Sequence, residues 1–322
     1  MNTSIKWGII GCGDVAEVKS GPAFQKVANS ELVAVMRRNG EKAKDFAERH
    51  NVPFFYNSVD AIINHPEINA LYIATPPSTH LEIAKKCLAA GKFVYLEKPM
   101  TINTDEALEL KALVNENDKI VVAHYRRNLP AFQKVKELLD ANCIGKVLFA
   151  DITILQSTTN NVIAKTDDNW RLKPETSGGG YFHDIGPHQI DLMYHYFGKI
   201  EKAEGFSTST QNNKVADIVN GIIAFENGVQ FRGIWNFIAS EKDVKDECRI
   251  YGENGTITFS FYGEEVFLNT TDKEEVFSFE NPAHVQQPLI EQTVNYFLGN
   301  AKNPCTVKDG VEVMKILDKF TS

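Results

Sequence analysis

The sequence has no apolar run approaching the ~20 residues needed to cross a bilayer, so no segment reads as a membrane-spanning helix. Basic residues are outnumbered, with 34 Lys and Arg against 42 Asp and Glu for a net charge of −8. That balance disfavours nucleic acid, which needs clustered Lys and Arg to neutralise phosphates. Cysteine is sparse: Cys12, Cys87, Cys143, Cys248 and Cys305 are scattered, odd in number and never spaced CxxC. A disulfide framework and a thiolate zinc site are therefore excluded as expectations. Internal repeats and low-complexity linkers are also missing. The motif WGIIGCG begins at residue 7, which leaves no room before it for a signal peptide, and the expected location is cytoplasmic.

What remains is an ordinary globular composition, 43% hydrophobic and 24% charged over 322 residues, long enough for two domains with separate cores. The first ~120 residues alternate short apolar runs with helical periodicity, the pattern of a doubly wound parallel sheet. Strands are expected at 6–10, 31–36, 70–74, 93–96 and 120–123, with helices at 41–50, 78–90 and 104–117. The first helix is interrupted near Ser20-Gly21-Pro22. Past residue 124 the rhythm changes. A helix at 130–142 precedes strands at 146–155, 218–225, 229–237, 247–251, 256–261, 266–270 and 275–279, several joined by Asn-Gly hairpin signals. Helices at 289–297 and 310–320 follow. The expected architecture is an α/β chain: a Rossmann domain at 1–123, then an α+β domain at 124–322 that includes the C-terminal helices and a large, mostly antiparallel open sheet. An apolar face of that sheet needs cover from helices or another subunit.

Gly11-Cys12-Gly13-Asp14-Val15-Ala16 directly follows the first strand and opens a helix, the context in which a GxGxxG-type match signifies dinucleotide binding. Gly11 permits the tight turn, Gly13 lets backbone approach the pyrophosphate, and helix N–H groups receive the anion. Ala16 takes the third glycine's place. At the tip of the second strand, where an acid would hold the ribose hydroxyls of NAD, stand Arg37 and Arg38. An arginine fork suits phosphate oxygens, so NADP is the expected cofactor, with NAD as the alternative. A pair of solvated surface arginines is the plain competing reading.

Glu97-Lys98-Pro99 follows the strand at 93–96, and ligands of doubly wound folds bind beyond the carboxyl ends of strands. There Lys98 can hydrogen-bond a substrate hydroxyl and stabilise an alkoxide. The stretch GGGYFHDIGPHQIDLM at 178–193 sets Asp184, His188 and Asp191 at i, i+4 and i+7, one face of a helix. Three readings fit that spacing: a metal site drawing also on His183, a proton-transfer pair, or a capping aspartate with a satisfied helical histidine.

Taken together, GIIGCGDVA, ATPPSTHLEIAKKCLAAGKFVYLEKPM and WR…GGGYFHDIGPHQIDLM resemble the glucose–fructose oxidoreductase/inositol dehydrogenase (Gfo/Idh/MocA) family, in order and end to end. The resemblance implies that the GCG turn and Thr75-Pro76-Pro77, with His80, line the cofactor. It makes Glu97-Lys98-Pro99 the catalytic-lysine motif, with the proline in a strained or cis peptide. Tyr125-Arg126 and Trp170-Arg171 are implied at cofactor and substrate, and Asp184 with His188 beside the reacting carbon. The family pattern implies no metal.

The expected activity is therefore an NAD(P)-dependent oxidoreductase moving a hydride between nicotinamide and a secondary alcohol or ketone. Its catalytic residues are Lys98, His188 and Asp184. His188 is the proton-transfer group, because imidazole titrates near neutrality, and Asp184 orients it. Cofactor contacts are expected from Gly11, Cys12, Gly13, Asp14, Val15, Arg37, Arg38, Thr75, Pro76, Pro77, His80, Glu97, Lys98, Arg126, Trp170 and Arg171. Substrate contacts are expected from Lys98, Tyr125, Trp170, Arg171, Asp184, His188 and Asp191, with Tyr181 and Trp235 as further candidates for a carbohydrate-like substrate. A glycosidase that retains NAD and a non-catalytic nucleotide-sensing regulator use the same architecture; Lys98 and His188 together favour the dehydrogenase. The sheet of the second domain is the expected surface of a homo-oligomer, dimer or tetramer.

Overall fold

A computed structural model describes residues 3–158, 169–210 and 214–322. Six strands, β1 (Ile5–Ile10), β2 (Ser30–Met36), β3 (Phe54–Tyr56), β4 (Ala70–Ile73), β5 (Phe93–Leu96) and β6 (Ile120–Val122), form a sheet in the order β3-β2-β1-β4-β5-β6. Every pairing in it is parallel. The central strand β4 reads as an apolar run because both faces are covered; all four of its residues are buried. One face carries the rings of Trp7, Phe24, Tyr72, Tyr95 and Phe297, with Trp7 4.7 Å from Phe24 and 5.7 Å from Phe297. On the other face Gly8 leaves space for Ile68 and Leu71.

The helix Gln287–Phe297, which supplies Phe297, belongs to this unit. The chain thus divides differently from the expected 1–123 and 124–322. One compact unit comprises Met1–Arg126 with Pro282–Val311, the other Arg127–Asn281 with Glu312–Ser322. Leu289, Ile290, Val294 and Phe297 of the helix Gln287–Phe297 are buried, and the Phe297 ring packs on Trp7 of β1 and Phe93 of β5.

The second unit holds β7 (Val147–Leu155), β8 (Ile200–Thr208), β9 (Ile218–Phe225), β10 (Gln230–Asn236), β11 (Lys245–Gly252), β12 (Gly255–Phe259), β13 (Glu265–Thr270) and β14 (Glu274–Ser278). Their order is β14-β13-β12-β11-β7-β10-β9-β8, antiparallel except for the β7–β10 pair. Gly205, Gly221 and Gly233 lie opposite one another on three adjacent strands. Phe320, from the last helix, fills the slot that the first two leave. A Cβ at Gly205 would stand 2.6 Å from its ring, and one at Gly221 closer still. Phe182, Trp235 and Phe320 pack as one cluster under the sheet. The opposite face exposes Phe149, Phe206, Ile222, Phe267 and Val276, with Phe206 81% accessible. Among the described residues no helix is long and apolar enough to cross a membrane.

Candidate functional site

In the first unit the ends of β1, β4 and β5 align. Ala74 N–H donates to Ile10 O at 2.8 Å and Glu97 N–H to Ile73 O at 3.0 Å, which sets the glycine turn, the Thr75 loop and the Glu97 loop in a row. Gly11 has φ +97°, and a Cβ there would press on the Ala74 carbonyl at 2.8 Å, so the turn requires glycine. Nothing lies within 4 Å of a Cβ placed on Gly13. That open side suits a pyrophosphate approaching backbone. The turn's shape is set from within, by Gly11 and Cys12 N–H on Met36 O at 2.9 and 3.1 Å.

The helix after this turn is interrupted where the sequence places the break, at Ser20-Gly21-Pro22. A π turn spans Ala16–Ser20 and a 3₁₀ turn Gly21–Gln25, because Pro22 has no N–H to continue an α-helix. Cys12 is buried, and burial pushes its thiol up to about 11, so only its backbone can serve a ligand. Asp14 is exposed and Val15 half-buried. Arg37 reaches back over the turn, its Nη1 donating to Cys12 O at 3.4 Å, while Arg38 is exposed.

Two residues expected to line the cofactor are turned inward instead. His80 is fully buried, its ring nitrogens 3.0 Å from Pro99 O and 2.8 Å from Thr75 O, so it ties the two loops together. Burial holds its pKa below the usual imidazole value. Glu97 is the centre of a buried polar cluster. Its Oε1 accepts from Tyr72 Oη at 2.6 Å and Gln286 Nε2 at 2.5 Å, and its Oε2 accepts from Lys98 N–H at 3.0 Å. Lys98 itself is half-buried, and the Lys98–Pro99 peptide is cis. Thr75 and Pro76 are half-buried and Pro77 is buried. Tyr125 and Arg126 follow β6 in a 3₁₀ turn, both buried, the guanidinium 5.6 Å from the Tyr125 ring centre.

In the second unit the helix Gly180–Phe197 carries Asp184, His188 and Asp191. Pro187 lies inside this helix, and Asp184 is its fifth residue. The positive helix end is therefore a turn away from Asp184, and the effect falls off over that distance. Asp184 Oδ2 instead accepts from Arg171 Nε at 2.6 Å. Arg171 stacks on Trp170 at 4.6 Å. His188 is buried one turn after Asp184, on the same face.

Asp191, expected at a substrate hydroxyl, is committed elsewhere: Arg127 engages both its oxygens. Trp235 likewise has a partner inside the protein. It is fully buried, and its Nε1 donates to Gln189 Oε1 at 3.2 Å. Tyr181 is half-buried and accepts from Asn169 Nδ2 at 2.8 Å. His183 points to Thr321 at 3.1 Å, so the possible ligands of the metal reading diverge. Among the described residues no three His, Cys, Asp or Glu side chains converge on a metal position. The glycines at 179 and 180 make room for the His183 and Val215 side chains.

Sequence reasoning missed Tyr72, Gln286 and Arg127. Tyr72 is hidden in an apolar strand and Gln286 in an unpatterned loop. Arg127 had a signal, standing beside the flagged Tyr125-Arg126.

Residues 5–125 match a family of oxidoreductases with an NAD-binding Rossmann fold, and residues 132–258 match the GFO/IDH/MocA C-terminal domain. An oxidoreductase of Formosa agariphila is 54% identical over 99% of both chains. The NADP(+) scyllo-inositol 2-dehydrogenase of Bacillus subtilis is 25% identical over 98% of this chain and 92% of that one. Among solved structures, levoglucosan dehydrogenase in complex with NADH and levoglucosan superposes with a TM-score of 0.87 at 20% identity, covering 98% of this chain and 96% of that one. Aldose-aldose oxidoreductase from Caulobacter crescentus does so at 0.85 and 19%, over 98% and 96%.

Proposed function

The chain belongs to the Gfo/Idh/MocA family of oxidoreductases, and from that premise we propose a dehydrogenase/reductase that prefers NADP and acts on a secondary alcohol or ketone of a sugar, polyol or related cyclic diol. The observation that carries this reading is the row of strand ends. There the Gly11 turn, the Thr75 loop and Lys98 stand side by side, and the acid that would select NAD is replaced by Arg37 lying over the turn. The relatives bear on the substrate through their names, which include scyllo-inositol and trans-1,2-dihydrobenzene-1,2-diol dehydrogenases.

Gly13, with open space on its outer side, is suited to the pyrophosphate, and Arg37 with Arg38 to a 2′-phosphate. The bound nicotinamide supplies or accepts a hydride. Lys98 presents a positive charge to the substrate oxygen and favours its alkoxide form. His188 takes the hydroxyl proton in oxidation and returns it in reduction. Asp184, ion-paired with Arg171 at 2.6 Å, keeps a negative charge one turn from that imidazole. Trp170 and Arg171 offer a ring and a fork to a hydroxylated substrate. The exposed apolar side of the eight-stranded sheet is assigned to a second copy of the chain, and a monomer in light scattering at micromolar concentration would contradict this.

The deciding experiment is an NADPH-oxidation screen across keto-sugars, osones and dicarbonyls, run beside NADP⁺ reduction with aldoses and inositols. Turnover of at least one such compound, faster with NADP(H) than with NAD(H), is expected. No turnover in either direction would overturn the reading.

A further inference from the structure

Within the first unit, five buried side chains form a chain of hydrogen bonds that ends on one carboxylate. Ser20 Oγ donates to Tyr72 Oη at 3.1 Å, and Tyr72 Oη donates to Glu97 Oε1 at 2.6 Å. From the other side Tyr95 Oη donates to Gln286 Oε1 at 2.9 Å, and Gln286 Nε2 donates to the same Glu97 oxygen at 2.5 Å. Burial raises the phenol pKa values of Tyr72 and Tyr95 well above the ordinary value, so both remain protonated donors. The direction of every bond is thereby fixed. A carboxylate only accepts, the Gln286 amide must turn its NH₂ toward it, and the Tyr95 hydroxyl satisfies the amide oxygen. With Oε1 held in this way, Glu97 Oε2 receives the Lys98 backbone N–H at 3.0 Å.

The residue that completes the arrangement lies 188 positions beyond Lys98 and outside every motif. Gln286 is fully buried. Its own N–H donates to Lys19 O at 3.2 Å, and His284 Nδ1 lies 3.0 Å from Val18 O. The segment is therefore stitched to the π turn that follows the glycine turn, and through its amide to the loop after β5.

We propose that Gln286 is a positioning residue for Lys98, acting through the Glu97 carboxylate and coupling the segment after the dinucleotide turn to the lysine loop. Gln286 touches neither substrate nor cofactor in this role. By orienting Glu97, it sets the direction in which the Lys98 backbone leaves β5, and so where its amine is presented. The inference rests on the proposed role of Lys98 for its effect on turnover, but not for its effect on the lysine itself.

The test compares wild type with Gln286→Leu, Lys98→Met and the double variant, all full length, using two readouts. The first is the rate at which acetic anhydride labels the Lys98 amine across pH, relative to exposed Lys42, with and without NADPH. The second is kcat and KM with the best substrate of the screen above. Gln286→Leu is expected to change Lys98 labelling and lower kcat by roughly tenfold, with KM for NADPH nearly unchanged and no further loss when added to Lys98→Met. Unchanged Lys98 labelling overturns the proposal, as does a loss in the double variant that multiplies the two single losses. If Lys98→Met keeps full turnover, the catalytic reading of Lys98 falls, and the labelling arm alone decides the positioning role. Should Gln286→Leu fail to fold, Tyr95→Phe removes only the hydroxyl that orients the amide, and the same criteria apply to it.

Discussion

Arg127 holds Asp191 with its Nε at 3.1 and 2.9 Å from the two carboxylate oxygens and its Nη2 at 2.6 Å from Oδ1, and both side chains are buried. This pair anchors the middle of the helix that carries His188 to the first residue of the second unit. Removing one partner takes a buried ion pair away from the charge of the other. Arg127→Met is therefore expected to cost about 3–5 kcal/mol of stability, read as a lowered denaturation midpoint in urea. Replacing both residues with apolar side chains should recover most of that loss. Equal stability of Arg127→Met and wild type would show that the pair contributes nothing.

His188 carries the proton in the proposed reaction. His188→Asn should lower turnover by about 10²–10⁴ while NADPH fluorescence titration gives an affinity close to wild type. Unchanged turnover would refute the assignment.

Arg37 is the proposed reader of the 2′-phosphate. Arg37→Asp puts a carboxylate at the tip of β2, repelling the phosphate and offering acceptors to ribose hydroxyls. The ratio of kcat/KM for NADPH over NADH should fall by roughly 10–100-fold, the worth of one hydrogen bond to a charged group. A ratio that does not move would leave Arg37 as a surface residue braced on Cys12 O.

His183 gives stability a defined pH dependence. Burial, opposed by the negative charge of Asp318, lowers its pKa from 6.5 to about 4. The unfolded chain therefore binds a proton below pH ~6.5 that the folded chain refuses. This contribution to stability is complete above that pH and shrinks as pH falls toward 4, by roughly 3 kcal/mol in all. The urea midpoint should drop between pH 7 and pH 5, and His183→Gln should flatten that part of the profile. An identical slope in the variant would assign the acid sensitivity to other groups, among them buried His80, whose pKa is lowered in the same sense.

The division into a parallel and an antiparallel sheet was legible because parallel strands buried on both faces read as apolar runs, and antiparallel ones alternate. The elements missed have physical causes. β3 has just three residues, two of them exposed at a sheet edge. β8 turns Ala203, Gly205 and Ser207 inward, because Phe320 occupies the space larger side chains would fill, and Phe206 outward. Its apolar period is thus inverted. At the site, the sequence identified backbone-driven features such as Gly11 and the Lys98 loop, which depend on local turns. It could not show the protein partners of Asp191, Glu97 and Trp235, which lie 25 to 189 positions away.

Both units are built from discontinuous chain. The nucleotide-type unit lacks Phe297 and Gln286 until the segment Pro282–Val311 arrives, and the antiparallel unit lacks Phe320 until Glu312–Ser322 does. During synthesis, then, neither unit is complete before residue 282, and the antiparallel unit closes after the nucleotide-type one. A ribosome-bound chain stopped after residue 281 holds two sheets, each with an open apolar slot, exposed while the last turns are still being made. Such intermediates attract chaperones or one another. Residues 282–322 should therefore govern yield from expression more strongly than their number suggests.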